Sequence, residues 1–136
     1  MAESPDALTV IIADDDELIR NVVAIYFGNK GYQVISAVSG QDCLELMRGS
    51  EPDAVLLDVM MPGMDGWEVC RRIREFSDAP VILLTACAQD SDREKGMAAG
   101  ASAYVTKPVL LKHLEALIRT LTHGSPSLDE TGALRT

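Results

Sequence analysis

Five short apolar runs rich in β-branched residues recur along this chain, and their repetition constrains the fold more than any other feature of the sequence. The runs are Leu8 to Ala13, Gln33 to Ala37, Ala54 to Leu57, Val81 to Leu84 and Ala103 to Val105. Each has the length of a β-strand, and the segments between them show the apolar period of amphipathic helices. Alternating strands and helices require right-handed crossovers, so the sequence predicts an α/β fold with a doubly wound, parallel five-stranded sheet and five helices.

The helices are predicted from apolar periodicity and from their ends. The first presents one apolar face and closes before a glycine; these residues are Leu18, Ile19, Val22, Val23, Tyr26 and Gly31. Capping pairs open the second, third and fourth helices, namely Ser39 with Asp42, Asp65 with Glu68, and Ser91 with Glu94. The second helix is expected to end at Gly49 and the fourth near Gly100. The stripe assigned to the fifth helix is Leu110, Leu111, Leu114, Leu117, Ile118 and Leu121.

The third and fourth runs are apolar at every position, from Val55 to Leu57 and from Val81 to Leu84. Continuous apolar strands of this kind are typical of parallel sheets that are covered on both faces. Ligands of such sheets bind beyond the carboxyl ends of the strands, at the point where the strand order reverses. We therefore look for chemistry at the residues that follow each strand.

Length and charge limit the remaining possibilities. The 136 residues, 47% of them hydrophobic, suffice for one domain, which we place at 8–122, with flexible segments at 1–7 and 123–136. The formal charge of -9 disfavours binding to nucleic acid or to anionic membranes. No apolar run approaches the roughly 20 residues that span a bilayer, and Met1 to Ala7 lack the features of a signal peptide. We expect a cytoplasmic protein.

The cysteines and histidines show no metal-binding or redox pattern. Cys43, Cys70 and Cys87 are widely spaced, which predicts buried thiols in a reducing compartment. His113 and His123 have no clustered ligands around them and are expected at the surface.

Acidic residues follow two of the predicted strands. Asp14, Asp15 and Asp16 come directly after the first strand, and Asp58 ends the third. One interpretation is a solvated loop in which an aspartate caps the next helix. The other is a cluster of carboxylates that repel one another unless a cation intervenes, and this oxygen-rich set favours Mg2+.

Asp58 is the best placed of these to act as a nucleophile, because an aspartate can form an aspartyl phosphate. Thr85 ends the fourth strand and Lys107 follows the fifth, so a hydroxyl and an ammonium should reach the same edge. Each is common in a merely structural role. Together they are suited to pair with an added phosphoryl group.

These motifs, taken in order, resemble the receiver domains of two-component response regulators. The matching segments are Asp14-Asp15, the run Leu56 to Gly66 (LLDVMMPGMDG), the run Leu83 to Ala86 (LLTA) and the run Tyr104 to Pro108 (YVTKP). The resemblance covers about residues 8 to 122 and implies the flavodoxin-like strand order 2-1-3-4-5.

The resemblance also implies a role for each matching residue. Asp58 would be the phosphoacceptor, Asp15 and Asp58 would ligate Mg2+ with Asp14 acting mainly through water, and the backbone carbonyl of Met60 would be a further ligand. Thr85 would bond a phosphoryl oxygen, and Lys107, before a cis Pro108, would pair with the phosphoryl group.

Switching and partners follow from the same resemblance. Tyr104 matches the aromatic switch position, whose alternative interpretation is an edge-strand tyrosine with a wet hydroxyl. Phosphorylation by a sensor histidine kinase or phosphotransfer protein would alter the face formed by the fourth helix, fifth strand and fifth helix, where a downstream protein binds. Kinase specificity would lie near Asn21, Val22 and Ile25, and the protein would be a monomer or a phosphorylation-dependent dimer.

Two departures from the family pattern are visible. Val109 stands where many relatives carry Phe, which would loosen packing before the last helix. Met60 and Cys87 flank the route of the attacking water with apolar side chains, which predicts slow self-dephosphorylation. We expect a phosphoacceptor with weak activity toward its own acyl phosphate, not an enzyme with a separate substrate.

Three other functions stay open at this point. The chain could be the receiver half of a longer DNA-binding or enzymatic regulator, although it shows no basic recognition helix of its own. A phosphate-independent binding module is disfavoured by the full set Asp14, Asp15, Asp58, Thr85 and Lys107. The fold alone does not distinguish a phosphorylation switch from a flavin carrier or an enzyme on the same fold.

Overall fold

A computed structural model describes residues 8–86 and 89–122 of the chain. Its strands are β1 (Thr9–Ala13), β2 (Gln33–Ala37), β3 (Ala54–Asp58), β4 (Val81–Thr85) and β5 (Ala103–Thr106). Its helices are α1 (Glu17–Asn29), α2 (Gly40–Ser50), α3 (Gly66–Ile73), α4 (Asp90–Ala98) and α5 (Leu111–Thr122). The predictions for Cys87, for His123 and for the segments 1–7 and 124–136 lie outside the described residues.

The five strands form one parallel sheet in the order β2-β1-β3-β4-β5, as predicted. The order reverses between β1 and β3, which are direct neighbours with Ala13 opposite Leu57. Asp14 and Asp58 each follow this matched pair by one residue, so the register alone brings them to the same edge.

Two apolar clusters cover the two faces of the sheet. One contains Ile11, Val55, Leu57 and Leu83 with residues of α2 and α3, including Trp67 and Ile73. The other contains Val10, Ile12, Leu56 and Ile82 with residues of α1 and α5, including Phe27 and Ile118. β3 and β4 are buried at every position, as their continuous apolar sequence predicted.

The apolar face predicted for α1 is partly wrong. Val23 is buried and Ile19 and Tyr26 are partly buried, but Leu18 is 69% exposed and Val22 is 44% exposed. α1 is apolar over a wider arc than the sheet can cover, so part of this stripe faces outward.

Three predicted helix ends also differ. α4 begins at Asp90, before Ser91, and Gln89 occupies the N-cap position without a capping hydrogen bond from its side chain. Ser91 therefore lies inside the first turn. α2 continues through Gly49 to Ser50, because Glu51 itself takes the left-handed φ of 46°. Leu110 precedes α5 and is 61% exposed, so the buried stripe of α5 begins only at Leu111.

The other capping predictions and the described thiols are confirmed. The Ser39 hydroxyl accepts a hydrogen bond from the Asp42 N–H at 3.1 Å, and the Asp65 carboxylate accepts one from the Glu68 N–H at 2.9 Å. Cys43 and Cys70 are buried, and burial raises the pKa of Cys43 to about 12. None of the helices in the described part of the chain has both the length and the apolar character to cross a bilayer.

Candidate functional site

Three carboxylates meet where β1 and β3 end. Asp14, Asp15 and Asp58 each place an oxygen within 4.8 Å of the others. Asp14 is only 1% exposed and Asp58 only 6%, whereas Asp15 is exposed. The clustering predicted from the sequence is thus present. Two of the three carboxylates are buried and the third is exposed.

Asp14 is held in place on three sides. Its Oδ1 accepts a hydrogen bond from the Asp16 N–H at 2.9 Å, and its Oδ2 accepts one from Lys107 Nζ at 3.1 Å. Its backbone carbonyl accepts a bond from Arg20 Nη1 at 2.7 Å. Asp16 also caps α1 through a 2.9 Å bond from the Leu18 N–H, so the capping interpretation holds for this third aspartate.

Asp58 lies in an environment that disfavours its charge. Burial, followed by the nearby Asp14 carboxylate, raises the pKa of Asp58, while Lys107 and the Met60 N–H act in the opposite direction. Lys107 Nζ lies 3.6 Å from Asp58 Oδ2, and the Met60 N–H donates to Asp58 Oδ1 at 3.3 Å. The Lys107 ammonium therefore lies close to both buried carboxylates, those of Asp14 and Asp58.

Thr85 and Lys107 reach this site from the next two strands. β4 and β5 are paired with Thr85 opposite Thr106, and the Lys107 N–H donates to the Thr85 carbonyl at 2.8 Å. Thr85 is fully buried. The Lys107-Pro108 peptide bond is cis, as the resemblance implied. The structure therefore brings together Asp14, Asp15, Asp58 and Lys107 directly, and Thr85 is tied to Lys107 through the backbone.

The donor set at this edge fits Mg2+. Three carboxylates supply hard oxygen ligands, and their negative charge exceeds what Lys107 alone can offset. Asp15 is exposed, so the cluster is open to solvent at this residue. Met60 follows Asp58 by two residues at this edge, with its own side chain 58% exposed.

Tyr104 lies beneath α4 and not at a wet edge. Its side chain is 2% exposed, and its ring lies close enough to Gly96 that a Cβ there would be 2.8 Å from Tyr104 Cδ1. The Arg93 guanidinium lies 5.5 Å from the ring centroid. Tyr104 thus lies on the edge strand β5, as the alternative interpretation had it, but its burial disagrees with a wet hydroxyl.

An apolar groove of about 550 Å3 opens next to the acidic site. It runs between α1 and the segment from Lys107 to Leu114, with Leu18, Val22, Pro108 and Val109 in its walls. Asn21 and Ile25, the other two α1 positions singled out in the sequence, are exposed on the same helix.

Two features of the site were not predicted from the sequence: the contact of Arg20 with Asp14, and the wall of the groove that the segment after β5 forms. Arg20 lies in the first turns of α1, and its bond to Asp14 depends on how that helix leaves the sheet. The available signal was a basic residue about one helical turn after the acidic triplet, from where its side chain can reach back to the end of β1. The groove needed the path of the segment after β5, which no local pattern specifies.

Comparison with known proteins gives a consistent result. The sequence profile of the response regulator receiver domain matches residues 10–119. The transcriptional regulatory protein AfsQ1 of Streptomyces coelicolor is 44% identical over 113 residues, which are 83% of this chain and 50% of AfsQ1. The probable transcriptional regulator ycf27 of Cyanophora paradoxa is 40% identical over 124 residues, 90% of this chain and 52% of that protein. The chain thus spans about half the length of these relatives.

Solved structures agree with these sequence relatives. The BeF3-activated N-terminal receiver domain of Klebsiella pneumoniae RstA is 31% identical and has a TM-score of 0.80, covering 84% of this chain and 97% of its own. The chemotaxis protein CheY4 of Vibrio cholerae is 27% identical with a TM-score of 0.78, covering 85% and 98%. Sequence and fold therefore lead to the same group of proteins.

Proposed function

This chain belongs to the response regulator receiver domain family of two-component systems, and we propose that it is a switch controlled by transfer of a phosphoryl group to Asp58. The observation that carries the proposal is the convergence of Asp14, Asp15 and Asp58 around one ammonium, with Lys107 Nζ 3.1 Å from Asp14 and 3.6 Å from Asp58. A site of excess negative charge with a fixed lysine is suited to a cation and a phosphoryl group together.

The reaction is a displacement at phosphorus. A carboxylate oxygen of Asp58 forms a bond to the phosphorus of the donor, and the bond between phosphorus and the leaving group breaks. Asp14, Asp15, Asp58 and the Met60 carbonyl would hold Mg2+, which supplies positive charge against the transferring group. Lys107 exchanges its contact with Asp58 for the phosphoryl group, and the Thr85 hydroxyl donates to a phosphoryl oxygen.

The raised pKa of Asp58 has a consequence for this step. Burial and Asp14 raise the pKa of Asp58, and positive charge entering the site would act in the opposite direction and favour the ionised form that attacks phosphorus. Phosphorylation is therefore expected to require the cation as well as the donor.

Switching and partner binding follow from the placement of Tyr104. Its buried ring beneath α4 links the site, through β5, to the face formed by α4, β5 and α5, which would meet a downstream protein. A histidine kinase or phosphotransfer protein would dock over the groove beside α1, where Leu18, Val22 and Ile25 are exposed. Such partners, together with the free, buried Cys43 and Cys70, support a cytoplasmic protein that is a monomer or a phosphorylation-dependent dimer.

Two further points extend the proposal. Met60 offers an apolar side chain beside the route of the attacking water, which supports slow self-dephosphorylation; Cys87, the second residue on that route, lies outside the described residues. A second candidate function is the receiver half of a longer regulator, because the chain spans about half of relatives named as transcriptional regulators. An antibody against this domain, used on whole-cell extract, would show whether the natural protein is longer.

The test of the proposed function is phosphorylation by a small donor. The protein is incubated with Mg2+ and acetyl phosphate, and its intact mass is measured beside Asp58→Asn, the matched surface variant Asp78→Asn and a metal-free sample. We expect one phosphoryl group on the wild type and on Asp78→Asn, and none on the other two. If no sample gains mass, the chain is a constitutive binding module on a receiver fold.

A further inference from the structure

α4 is docked on the domain in a way that differs from the other helices. Of the nine described residues of α4, only Gly96 is buried. By contrast α3, one residue shorter, buries Gly66, Trp67, Val69, Cys70 and Ile73. Apolar burial is the main force that holds helices against a sheet, and α4 contributes little of it.

Two cations on α4 lie over aromatic rings of the domain. Lys95 Nζ is 4.0 Å from the centroid of the Trp67 ring on α3. The Arg93 guanidinium is 5.5 Å from the centroid of the Tyr104 ring on β5. Both distances lie within the range in which a cation is attracted to the face of an aromatic ring, and tryptophan gives the strongest contact.

The Trp67 ring offers a surface suited to this contact. The side chain is 8% exposed, so most of the ring is already fixed by the core around it. Its indole N–H has no hydrogen-bond partner among the described residues, so Trp67 contacts a charged group through the face of its ring. Lys95 therefore binds a rigid partner, which reduces the entropy lost when the contact forms.

Gly96, which follows Lys95 directly, contacts the same Tyr104 ring. A Cβ at this position would be 2.8 Å from Tyr104 Cδ1 and 3.0 Å from Leu83 Cδ1, so the helix backbone rests directly on the buried tyrosine ring. The contact between Lys95 and Trp67 is therefore made by the residue next to the point where α4 covers Tyr104.

We propose that Lys95 is a positioning residue of the switch: its contact with Trp67, together with that of Arg93 with Tyr104, holds α4 in the arrangement that buries Tyr104. This inference rests on the proposed function for the part that concerns the phosphoryl group. In the proposed switch, Tyr104 turns inward when Thr85 moves toward the phosphoryl group on Asp58. Phosphorylation and the Lys95 contact then favour the same arrangement, and by linkage the loss of one weakens the other.

The test uses three variants of the full chain. Lys95→Met keeps the length of the side chain and removes its charge, Lys95→Arg keeps a cation, and Lys112→Met removes the charge of an exposed lysine on α5. Two measurements are made: hydrogen exchange of the α4 amides in metal-free protein, and calorimetric titration of the Mg2+-loaded protein with beryllofluoride as a phosphoryl mimic.

We expect exchange in α4 to be about two- to fivefold faster in Lys95→Met, with a similar rise in the half-saturating concentration of beryllofluoride. Lys95→Arg and Lys112→Met should stay close to the wild type. Unchanged exchange in Lys95→Met, or equal effects of Lys95→Met and Lys112→Met, would overturn the proposal. Faster exchange with unchanged titration would overturn its link to the switch.

The exchange measurement separates this inference from the proposed function. If the wild type does not bind beryllofluoride, the proposed function fails, while the exchange rates of α4 still decide whether Lys95 holds the helix.

Discussion

The β3–α3 unit (Ala54–Ile73) and the β4–α4 unit (Val81–Ala98) are neighbours of the same topology, yet they are held together differently. Both strands are fully buried, and they pair in parallel with Asp58 opposite Leu84. α3 is capped by Asp65 and is amphipathic with five buried residues. α4 has no capping bond from its N-cap side chain, Gly96 is its one buried residue among those described, and two of its cations lie over aromatic rings.

In this contrast, α3 is the fixed support and α4 is the adjustable element. Asp58 ends β3 and is followed by a helix whose position is determined by apolar packing. Thr85 ends β4 and is followed by a helix with little buried apolar surface. Local stability follows apolar contact density, so α4 is the element that a change at the strand ends can shift at low cost.

The largest expected difference concerns core packing. Replacing Ile73, which is fully buried in α3, by Ala should lower the free energy of unfolding by about 2–5 kcal/mol, because a cavity is left in the core. Met97→Ala in α4, where the side chain is 46% exposed, should change it by less than about 0.5 kcal/mol. Urea denaturation measures both, and equal losses would break the comparison.

The next difference concerns the two glycines that contact the sheet. A Cβ on Gly66 would lie 2.6 Å from the Asp58 carbonyl oxygen and from Val59 Cα, and backbone cannot rotate away. Gly66→Ala should therefore cost about 1–3 kcal/mol of stability.

The Cβ of Gly96→Ala would meet the side chains of Tyr104 and Leu83 instead. Gly96→Ala should lower the free energy of unfolding by less than Gly66→Ala, because α4 can shift and Ala favours the helix. The Tyr104 ring should become more exposed. Urea denaturation and the solvent accessibility of Tyr104 by NMR provide the check. A larger loss for Gly96→Ala than for Gly66→Ala would mean that α4 is as firmly fixed as α3.

Removing the N-cap side chains of α3 and α4 should change the free energy of unfolding by amounts that differ by about 1 kcal/mol. Asp65→Ala removes the bond that its carboxylate accepts from the Glu68 N–H, and loss of such a cap typically costs about 1 kcal/mol. Gln89→Ala removes no capping bond from α4 and should be close to neutral. Thermal or urea denaturation of the pair is sufficient, and a cost at Gln89 equal to that at Asp65 would contradict the assignment.

The smallest effect is expected at the strand ends and depends on pH. In metal-free buffer the folded pKa of Asp58 lies above its ordinary value of 3.8, because burial and Asp14 disfavour its charge. The folded protein therefore keeps this proton to higher pH than the unfolded chain. The stability associated with Asp58 is greatest below pH 3.8 and is lost as the pH rises through the folded pKa.

Asp58→Asn should thus be more stable than the wild type at neutral pH, with a difference that shrinks as the pH falls toward 3.8. Gln89→Ala, which changes no titratable group, serves as the control and should shift the stability curve by a constant. Urea midpoints across this pH range give the answer. A stabilisation by Asp58→Asn that does not vary with pH would exclude charge as its cause.

Most of the fold could be predicted from the sequence because its two central strands, β3 and β4, are continuous apolar runs and two of its helices carry the predicted caps. Asp14 and Asp58 could be placed together for the same reason: each follows a strand directly, and parallel strands end at one edge. The start of α4 could not be predicted, since Ser91 offers a capping pattern that the helix leaves unused. The exposure of Leu18 and Leu110 depends on how much of α1 and of the start of α5 the sheet covers, which only the tertiary structure determines.

The contacts of Arg20 and Lys95 were also beyond local patterns. Arg20 reaches the carbonyl of Asp14, and Lys95 reaches a ring on another helix. Each interaction joins segments whose relative placement exists only after the chain has folded.

The backbone bond from the Lys107 N–H to the Thr85 carbonyl, 2.8 Å long, links two residues of the site through the sheet itself. Neighbouring strands are spaced by their hydrogen-bond ladder, at roughly 4.8 Å, whatever helices flank them. The separation of Thr85 and Lys107 is therefore set by main-chain geometry. Substitutions on the outer surfaces of α1 or α5 leave this hydrogen bond, and with it the spacing of the two residues, unchanged.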